Sequence, residues 1–326
     1  MHRPKVTIGL VLYRGCEKYL GHSLPGLFNQ DYPNVEFLIR DQSPNGEIFD
    51  YIKNNLPQVF EKATIAKGEN LMHSGGHNAL MGQMTGDYYI AASEDMLYPP
   101  DLASQIVATL ERPENRPFGS ATVKLMQWDF ENQEKTTVID SVGIGLTRAH
   151  YFFDIGQGQK DKGQWAAAKP LGPSGALGIY RKKALEAVRY QNEYFDPLLH
   201  YKNDVDLAYR LQWAGHPCLP IPCLKVYHDR QVSSRKNRKT RSRFDRENSF
   251  FGHLVVLKKN TDKRFSALTK LETWFYNTSK WLFASVFEPY LRKQYKEVKK
   301  HMPEIEARKK AMKRTVAPTE IENLMQ

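Results

Sequence analysis

Two adjacent carboxylates follow an uncharged run in the first third of the chain. Glu94 and Asp95 follow the run YYIAA after one serine, Ser93, and neighbouring carboxylates repel each other unless a cation or hydrogen-bond donors compensate. A hard divalent cation is one such compensation, because Mg²⁺ and Mn²⁺ prefer oxygen ligands and bind through one or two protein carboxylates plus substrate phosphates. The alternative is that both acids are solvated and cap a helix predicted after Pro99.

A second pair of carboxylates opens the stretch HYKNDVDLAYRLQWAG, residues 200–215. An apolar stripe and the closing Gly215 predict a helix that begins at about Asp204. Asn203 as N-cap and Asp206 at the third position resemble a capping box. Asp204 is then either a favourable charge at the helix dipole, which lowers its pKa, or a catalytic base.

Two further polar residues lie at the ends of predicted strands. Asp41 ends the run VEFLIRD and enters the turn DQSPNG. Open parallel sheets bind ligands at the carboxyl ends of strands, so Asp41 is a candidate for contact with a base or ribose, and an Asx-turn role is the alternative. His228 ends the run KVYH and becomes a ligand candidate if that strand returns to the same edge.

The stretch MHSGGHNALM contains two histidines at a spacing that on a helix would suit zinc. Gly75 and Gly76 lie between His73 and His77, and they argue against a helix there. The sequence instead predicts a Gly-rich turn that opens a helix near Asn78, with its backbone close to a ligand.

Alternating strand and helix patterns position these residues. The apolar runs at 5–13, 35–41 and 87–95 are typical of buried strands, and an amphipathic stretch joins the first two. The connection is too long for a hairpin, so a βαβ unit and a parallel sheet are predicted. Residues 154–165 are Gly-rich and predict a mobile loop, and residues 222–228 predict a closing strand.

The charge is divided unevenly along the chain. The net charge is +11 over 326 residues, but residues 1–228 hold 23 basic and 25 acidic residues, so the excess lies in residues 229–326. That tail contains the basic run SSRKNRKTRSRFDR and then a helical stretch rich in Trp, Phe and Tyr. It is suited either to an anionic membrane surface or to packing against the rest of the chain or a second subunit.

The termini and cysteines indicate the compartment. The N-terminal run before Arg14 lacks the features of a signal peptide, and no stretch has the roughly 18 apolar residues of a membrane span. Cys16, Cys218 and Cys223 have no metal-ligand spacing, which fits a reducing compartment. We therefore expect a cytoplasmic protein.

Taken in order, the motifs resemble those of the inverting family 2 glycosyltransferases of the GT-A fold, within them the rhamnosyltransferase-like branch of bacteria. The resemblance covers about residues 5–228 and depends on VTIGLVLY, LIRDQSPNG, GEN, SGGHNALM, YYIAASEDM, DSVG, PSGALGIYRKKAL, NDVDLAYRLQWAG and VYH. It implies an α/β fold with a Rossmann-like, mostly parallel sheet in a catalytic domain of residues 1–228. Residues 229–326 are then a basic, aromatic helical extension.

The resemblance also implies roles for individual residues. Asp204 falls on the catalytic base of the E-D-x-D-L motif, while Asp95 and His228 fall on metal ligands for Mn²⁺ or Mg²⁺. Contacts to the nucleotide or donor fall on Leu12, Tyr13, Asp41, Asn70, Asn78, Glu94, Gly175 and Ala176. The usual Glu beside the base is Asn203 here, and the DXD motif is reduced to Ser93-Glu94-Asp95.

The implied reaction moves a sugar from a nucleotide-sugar donor to a hydroxyl of a saccharide or polyprenyl-diphosphate-linked acceptor in cell-surface polysaccharide synthesis. dTDP-rhamnose is the first expectation for the donor, and a UDP-hexose is the alternative. A peripheral position on the inner face of the membrane and a homo-oligomer are further expectations. A non-catalytic nucleic-acid binder that uses the basic run is the rival of another class, and it is disfavoured because residues 1–228 are slightly acidic.

Overall fold

The computed structural model describes residues 3–230 and 242–326. Its strands are β1 (Val6–Leu12), β2 (Val35–Asp41), β3 (Ala63–Lys67), β4 (Tyr88–Ala92), β5 (Met96–Leu97), β6 (Ser120–Asp129), β7 (Glu134–Ser141), β8 (Ile144–Leu146), β9 (Phe152–Asp154), β10 (Gly178–Arg181) and β11 (Cys218–His228). Its helices are α1 (Glu17–Phe28), α2 (Glu47–Asn55), α3 (Met72–Met81), α4 (Leu102–Leu110), α5 (Lys182–Val188), α6 (Asn203–Trp213), α7 (Arg243–Asn260), α8 (Ala267–Phe287), α9 (Lys293–Lys300), α10 (Met302–Ala311) and α11 (Pro318–Glu322).

The central sheet brings the chemically active strand ends to one edge. Its order is β3-β2-β1-β4-β10-β6-β11-β5, with β7 added beside β6. Strands β1 to β4 pair in parallel, and β10 is antiparallel to both β4 and β6. Strand β6 therefore runs in the same direction as β4, and β11 is parallel to β6. The carboxyl ends of β1, β2, β4 and β11 consequently lie at the same edge of the sheet.

The predicted α/β class and mostly parallel sheet are confirmed. Every residue of β4 is buried, as expected for a central strand that helices cover on both faces. The predicted closing strand is longer than expected, because β11 begins at Cys218 rather than at residue 222. The short edge strand β3 lacked a strong apolar signal and was not predicted.

Helix α3 corrects the prediction of a turn between the two histidines. The helix begins at Met72, well before Asn78, and it runs through Gly75 and Gly76. A Cβ added at Gly76 would lie 2.8 Å from a methyl carbon of Val11. Close packing on β1 thus requires glycine here, and this tertiary contact outweighs the low helix propensity.

The C-terminal helices share a core with the sheet-bearing part of the chain. Tyr209 and Trp213 of α6 cluster with Val255 and Val256 of α7, and this core extends to Ile305 of α10. The prediction that the tail packs against the rest of the chain therefore holds for α7 and α10. In contrast, α8 leaves a large apolar surface exposed. The domain boundary at residue 228 stays a prediction.

None of the described helices combines the length and apolar character that crossing a bilayer requires.

Candidate active site

A carboxylate and an imidazole meet where β4 and β11 end. His228 Nε2 lies 3.4 Å from Asp95 Oδ2, and His228 Nδ1 lies 2.8 Å from Asp140 Oδ2. Asp95 reaches this point because β5 pairs antiparallel with the end of β11, with Met96 opposite His228. The structure thus brings together the two residues that the sequence assigned to the metal.

Asp140 and Arg230 are functional candidates that the sequence reasoning did not assign. Asp140 lies at the end of β7, is fully buried, and forms an ion pair with Arg230 Nε at 2.5 Å. The Arg230 guanidinium also reaches Asp154 Oδ2 at 2.8 Å. The only sequence signals were the DSVG motif and the position of Arg230 two residues after His228.

The charges at this edge shift the pKa values of two groups. Burial opposes a charge on His228, but hydrogen bonds to Asp140 and Asp95 raise its pKa to about 10. Burial, followed by repulsion from Asp95, raises the pKa of Glu94 to about 7. Three carboxylates at this edge, Asp95, Asp140 and Asp154, therefore face two positive groups, the His228 imidazolium and the Arg230 guanidinium, which balance the negative charge only in part.

The residues fit a divalent cation held by few protein ligands. A metal-ligating histidine usually donates its other ring N–H to a carboxylate, as His228 donates to Asp140. Among residues 3–230 and 242–326, no group of three or more His, Cys, Asp or Glu side chains is arranged to hold a metal. Two protein ligands completed by substrate phosphates are typical of Mg²⁺ sites. Asp95 and His228 would hold the ion, which would replace the proton on Nε2.

Asp204 lies at the start of α6 with its carboxylate held in place from both sides. Oδ2 accepts a hydrogen bond from Gly175 N at 2.9 Å, and Oδ1 accepts one from Val205 N at 2.8 Å. A Cβ added at Gly175 would lie 2.9 Å from Oδ2, so only glycine permits this approach. Asp204 as a whole residue is half-buried.

The expected lowering of the Asp204 pKa by the helix dipole is wrong in sign. Burial raises the pKa of Asp204 above its ordinary value, and the lowering effects of the Val205 and Gly175 N–H groups do not offset it. A raised pKa makes the carboxylate a better proton acceptor, because basicity rises with the pKa of the conjugate acid.

The capping-box interpretation of Asn203 and Asp206 is also wrong. The helix begins at Asn203, after Lys202 in the left-handed region at φ 67°. Asn203 Nδ2 donates to Ser74 Oγ and contacts His73 Nδ1, each at 2.9 Å. Asp206 turns into the interior, where Lys259 Nζ lies 2.7 Å from its Oδ1.

His73 explains why an amide fits where the family motif has Glu. Burial, with repulsion from His200, lowers the pKa of His73 to about 4, so the ring is neutral near pH 7. A neutral ring can accept the Asn203 N–H at Nδ1, which a carboxylate could not supply. The second histidine, His77, contacts the Tyr89 hydroxyl at 2.8 Å, and neither histidine is placed as a zinc ligand.

Two hydrogen bonds connect the Ser93-Glu94-Asp95 segment with Asp204. Ser93 Oγ donates to Ala176 O at 2.7 Å, and the preceding Gly175 donates to Asp204. The predicted donor segment Gly175–Ala176 therefore bridges the acidic motif and the candidate base.

A cavity of about 400 Å³ opens beside the ends of β1, β2 and β3. Tyr13, Asn70 and Lys67 are among its lining residues. Asp41 lies beneath it, and its carboxylate accepts hydrogen bonds from Ser43 N and Phe49 N at 2.7 and 2.8 Å. This is the Asx-turn geometry that was the alternative for Asp41, so contact of Asp41 with the base stays a prediction.

Two other predicted donor contacts have structural roles in the described geometry. Leu12 is fully buried. Asn78 Oδ1 accepts from the N–H groups of Tyr194 and Phe195 at 3.0 and 2.8 Å, and Asn78 Nδ2 donates to Phe195 O. Asn78 thereby holds the segment that leads into α6, and its contact with the donor stays a prediction.

The Gly-rich loop at residues 154–165 is anchored rather than free. Asp154 pairs with Arg230 at its start, and Asp161 pairs with Lys124 and Lys225 at 2.8 and 2.9 Å. These pairs fix the loop beside the strand that carries His228, in contrast to the predicted mobility.

Residues 7–189 match the model of Glycosyl transferase family 2. The matched segment, just over half of the chain, includes Asp41, Asp95 and Gly175 and ends before Asp204 and His228. No curated protein matches the chain significantly.

Solved glycosyltransferase structures share the fold at low sequence identity. A Pyrobaculum calidifontis mannosyltransferase in complex with GDP-Man and Mn²⁺ has a TM-score of 0.54 and 15% identity, covering 99% of this chain and 79% of that one. GalNAc-T7 with UDP, GalNAc and Mn²⁺ has a TM-score of 0.59 and 9% identity, covering 87% and 57%. Staphylococcus aureus TarS in complex with UDP-GlcNAc has a TM-score of 0.52 and 14% identity, covering 89% and 78%.

Proposed function

The chain belongs to glycosyl transferase family 2, and we propose that it transfers rhamnose from dTDP-rhamnose, with inversion, to a saccharide hydroxyl. The acceptor is a saccharide or a polyprenyl-diphosphate-linked saccharide. The reaction takes place in the cytoplasm and contributes to the synthesis of a polysaccharide for the cell surface. The arrangement of Asp204 at the Gly175–Ala176 bridge to the Asp95–His228 pair carries the proposal.

The geometry divides the reaction between two sets of groups. Displacement of a nucleoside diphosphate leaves negative charge on the leaving oxygen, and a divalent cation when bound neutralises such charge. Asp95 and His228 would hold the cation on the diphosphate side of the site, while Asp204 removes the proton from the attacking hydroxyl. Because Asp204 is fixed by two backbone N–H groups, it is already oriented for proton transfer before the acceptor binds.

The nucleotide is proposed to occupy the cavity that Tyr13 and Asn70 line. Tyr13 is 43% exposed, so its ring is available to stack on a base. The loop beneath is rigid because Asp41 holds the N–H groups of Ser43 and Phe49. We therefore assign to Asp41 the shaping of the base-binding loop in addition to any direct contact.

The choice of rhamnose depends on the order of motifs, and other donors compete with it. The structural relatives bind GDP-mannose or UDP-GlcNAc, so a UDP-hexose or GDP-mannose enzyme is the second candidate. Most of the basic run that suggested nucleic-acid binding lies outside the described residues. The homo-oligomer likewise stays a prediction.

A donor screen tests the proposal directly. Purified enzyme is incubated with dTDP-rhamnose, UDP-glucose, UDP-galactose or GDP-mannose in the presence of Mn²⁺ or Mg²⁺, and nucleoside diphosphate release is measured. We expect the fastest release from dTDP-rhamnose, and its loss on addition of EDTA. If another nucleotide sugar gives faster release, that sugar would replace dTDP-rhamnose as the proposed donor. No release from any nucleotide sugar, with or without acceptor saccharides, would contradict the transferase assignment.

A further inference from the structure

Helix α8 is amphipathic in the reverse of the usual sense. A surface helix normally turns its apolar stripe toward the core and its polar side toward water. Helix α8 packs on the protein through polar residues one turn apart: Thr273 bonds with His150 Nδ1 at 2.8 Å, and Asn277 Oδ1 contacts His253 Nε2 at 3.0 Å. Thr269 on the same side is fully buried.

The opposite side of α8 exposes large apolar side chains. Within the described part of the chain, nine of the fourteen large apolar side chains that are exposed belong to this one helix. They are Leu268, Leu271, Trp274, Phe275, Trp281, Leu282, Phe283, Val286 and Phe287. Monomeric soluble proteins rarely leave so contiguous an apolar patch in water, so we infer that this face has an occupant.

The arrangement of the face favours a lipid bilayer. At 100° per residue the exposed side chains span more than half of the helix circumference, which is wider than the narrow seam of a coiled coil. Trp274 and Trp281 lie along one edge, within roughly 40° of Lys270 on the helical wheel. Tryptophan rings beside lysine are typical of the headgroup level of a membrane, with phenylalanine and leucine below it.

The surrounding charge selects an anionic surface. Residues 261–300 contain nine Lys or Arg against four Asp or Glu, and Lys296, Lys299 and Lys300 of α9 are exposed just beyond α8. In a symmetric dimer through this face the same basic surroundings would meet their own copy and repel. Anionic headgroups instead attract each basic residue near the surface.

We propose that α8 lies in the interface of an anionic membrane, with its apolar face in the lipid and its polar face on the enzyme. The proposal adds a binding surface to the transfer reaction and does not depend on the donor sugar. It would bring the enzyme to the surface that carries a lipid-linked acceptor, and that consequence alone depends on the proposed function.

Vesicle flotation of the full-length protein tests the proposal. The wild type is expected to float with phosphatidylcholine vesicles that contain phosphatidylglycerol, and to stay in solution with phosphatidylcholine alone. The triple variant Trp274→Ser, Phe275→Ser, Phe287→Ser should bind at least about 100-fold more weakly, because three large apolar groups no longer enter the lipid. The variant Phe60→Ser, which removes an exposed aromatic ring outside α8, should bind like the wild type.

Two outcomes would overturn the proposal. One is equal flotation of the triple variant and the wild type, or no flotation of either. The other is a wild-type dimer, detected by light scattering, that the triple substitution converts to monomer without any vesicle binding. Circular dichroism verifies that the variants are folded, and nucleotide-sugar turnover without vesicles shows separately whether the transfer reaction is intact.

Discussion

Asp204 and Asp206 lie two residues apart on the first turn of α6, yet they face opposite environments. Asp204 accepts hydrogen bonds from the N–H groups of Gly175 and Val205, and burial raises its pKa. Asp206 looks into the interior, where Lys259 and Arg210 outweigh the effect of burial and lower its pKa to about 2. Two carboxylates of similar sequence context thus differ in their readiness to accept a proton.

The interior charges form a network of direct ion pairs. Lys259 Nζ, itself 1% exposed, lies 2.6 Å from Asp196 and 2.7 Å from Asp206. Arg210 reaches Asp206 at 3.0 Å, and Arg308 of α10 reaches Asp196 at 3.6 Å. Each carboxylate there has a cationic partner, which suits a structural role and ties α6 to the C-terminal helices.

The charges around Asp95 and His228 are less completely compensated. Asp95, Asp140 and Asp154 share two positive groups, His228 and Arg230, and burial followed by repulsion from Asp95 raises the pKa of Glu94. Such unbalanced negative charge is characteristic of sites that bind a cation or move a proton. The comparison teaches that the completeness of ion pairing, more than burial itself, separates structural from chemical carboxylates in this chain.

The largest expected effect on folding is that of Asp206→Asn. The substitution removes a carboxylate that both Lys259 and Arg210 contact, while Lys259 keeps Asp196, so we expect a cost of about 3 kcal/mol, the lower end of the range for breaking a buried pair. Urea denaturation should show this loss in the free energy of unfolding, while turnover per folded molecule stays within about twofold of the wild type. An equally stable variant that has lost turnover would reverse the roles assigned to Asp204 and Asp206.

Asp95→Ala should remove the carboxylate side of the metal pair. We expect Mn²⁺-dependent donor binding to be lost and kcat/KM to fall by about 10²–10³-fold, the scale for removing one charge-stabilising group. Calorimetric titration with Mn²⁺ and donor measures the first effect. Glu297→Ala on the exposed side of α9 is the control, and unchanged Mn²⁺-dependent donor binding by Asp95→Ala would exclude Asp95 as a ligand.

Asp140→Asn should have a smaller effect at the same edge. An amide can no longer fix the imidazole through a charged acceptor, and loss of such a partner weakens metal binding by about 10–100-fold. Mn²⁺ titration provides the measurement. Asp161→Asn, which changes a carboxylate paired with Lys124 and Lys225 instead of with His228, should keep the wild-type affinity. A similar loss in both variants would indicate a general effect on folding.

The smallest effect is a difference in acid stability. Because the folded pKa of Asp206 is below its unfolded value of about 4, its ionised form stabilises the fold at neutral pH, and this contribution is lost as the pH falls from about 4 toward 2. Between those values the wild type should lose more unfolding free energy than Asp206→Asn. Parallel pH profiles of the two proteins would contradict the low pKa.

Local sequence patterns were sufficient for the main strands, whereas the role of Asp204 came from the family resemblance and stays a prediction. Apolar runs located β1, β2 and β4, while the residues around Asp204 left a dipole role and a base role open. The capping interpretation of Asp206 failed because its partner Lys259 lies on a distant helix, α7, and periodicity reports only near neighbours. Asp140 was missed for the same reason, since 88 positions separate it from His228.

The central claim is that Asp204 is the base, and single-turnover kinetics of Asp204→Asn tests it most directly. With saturating donor, Mn²⁺ and acceptor, the rate of transfer should fall by about 10²–10⁴-fold, the range for loss of a general base. Donor affinity and melting temperature should stay close to those of the wild type, because the amide oxygen can still accept the Gly175 N–H. Transfer at a rate near that of the wild type would contradict the account.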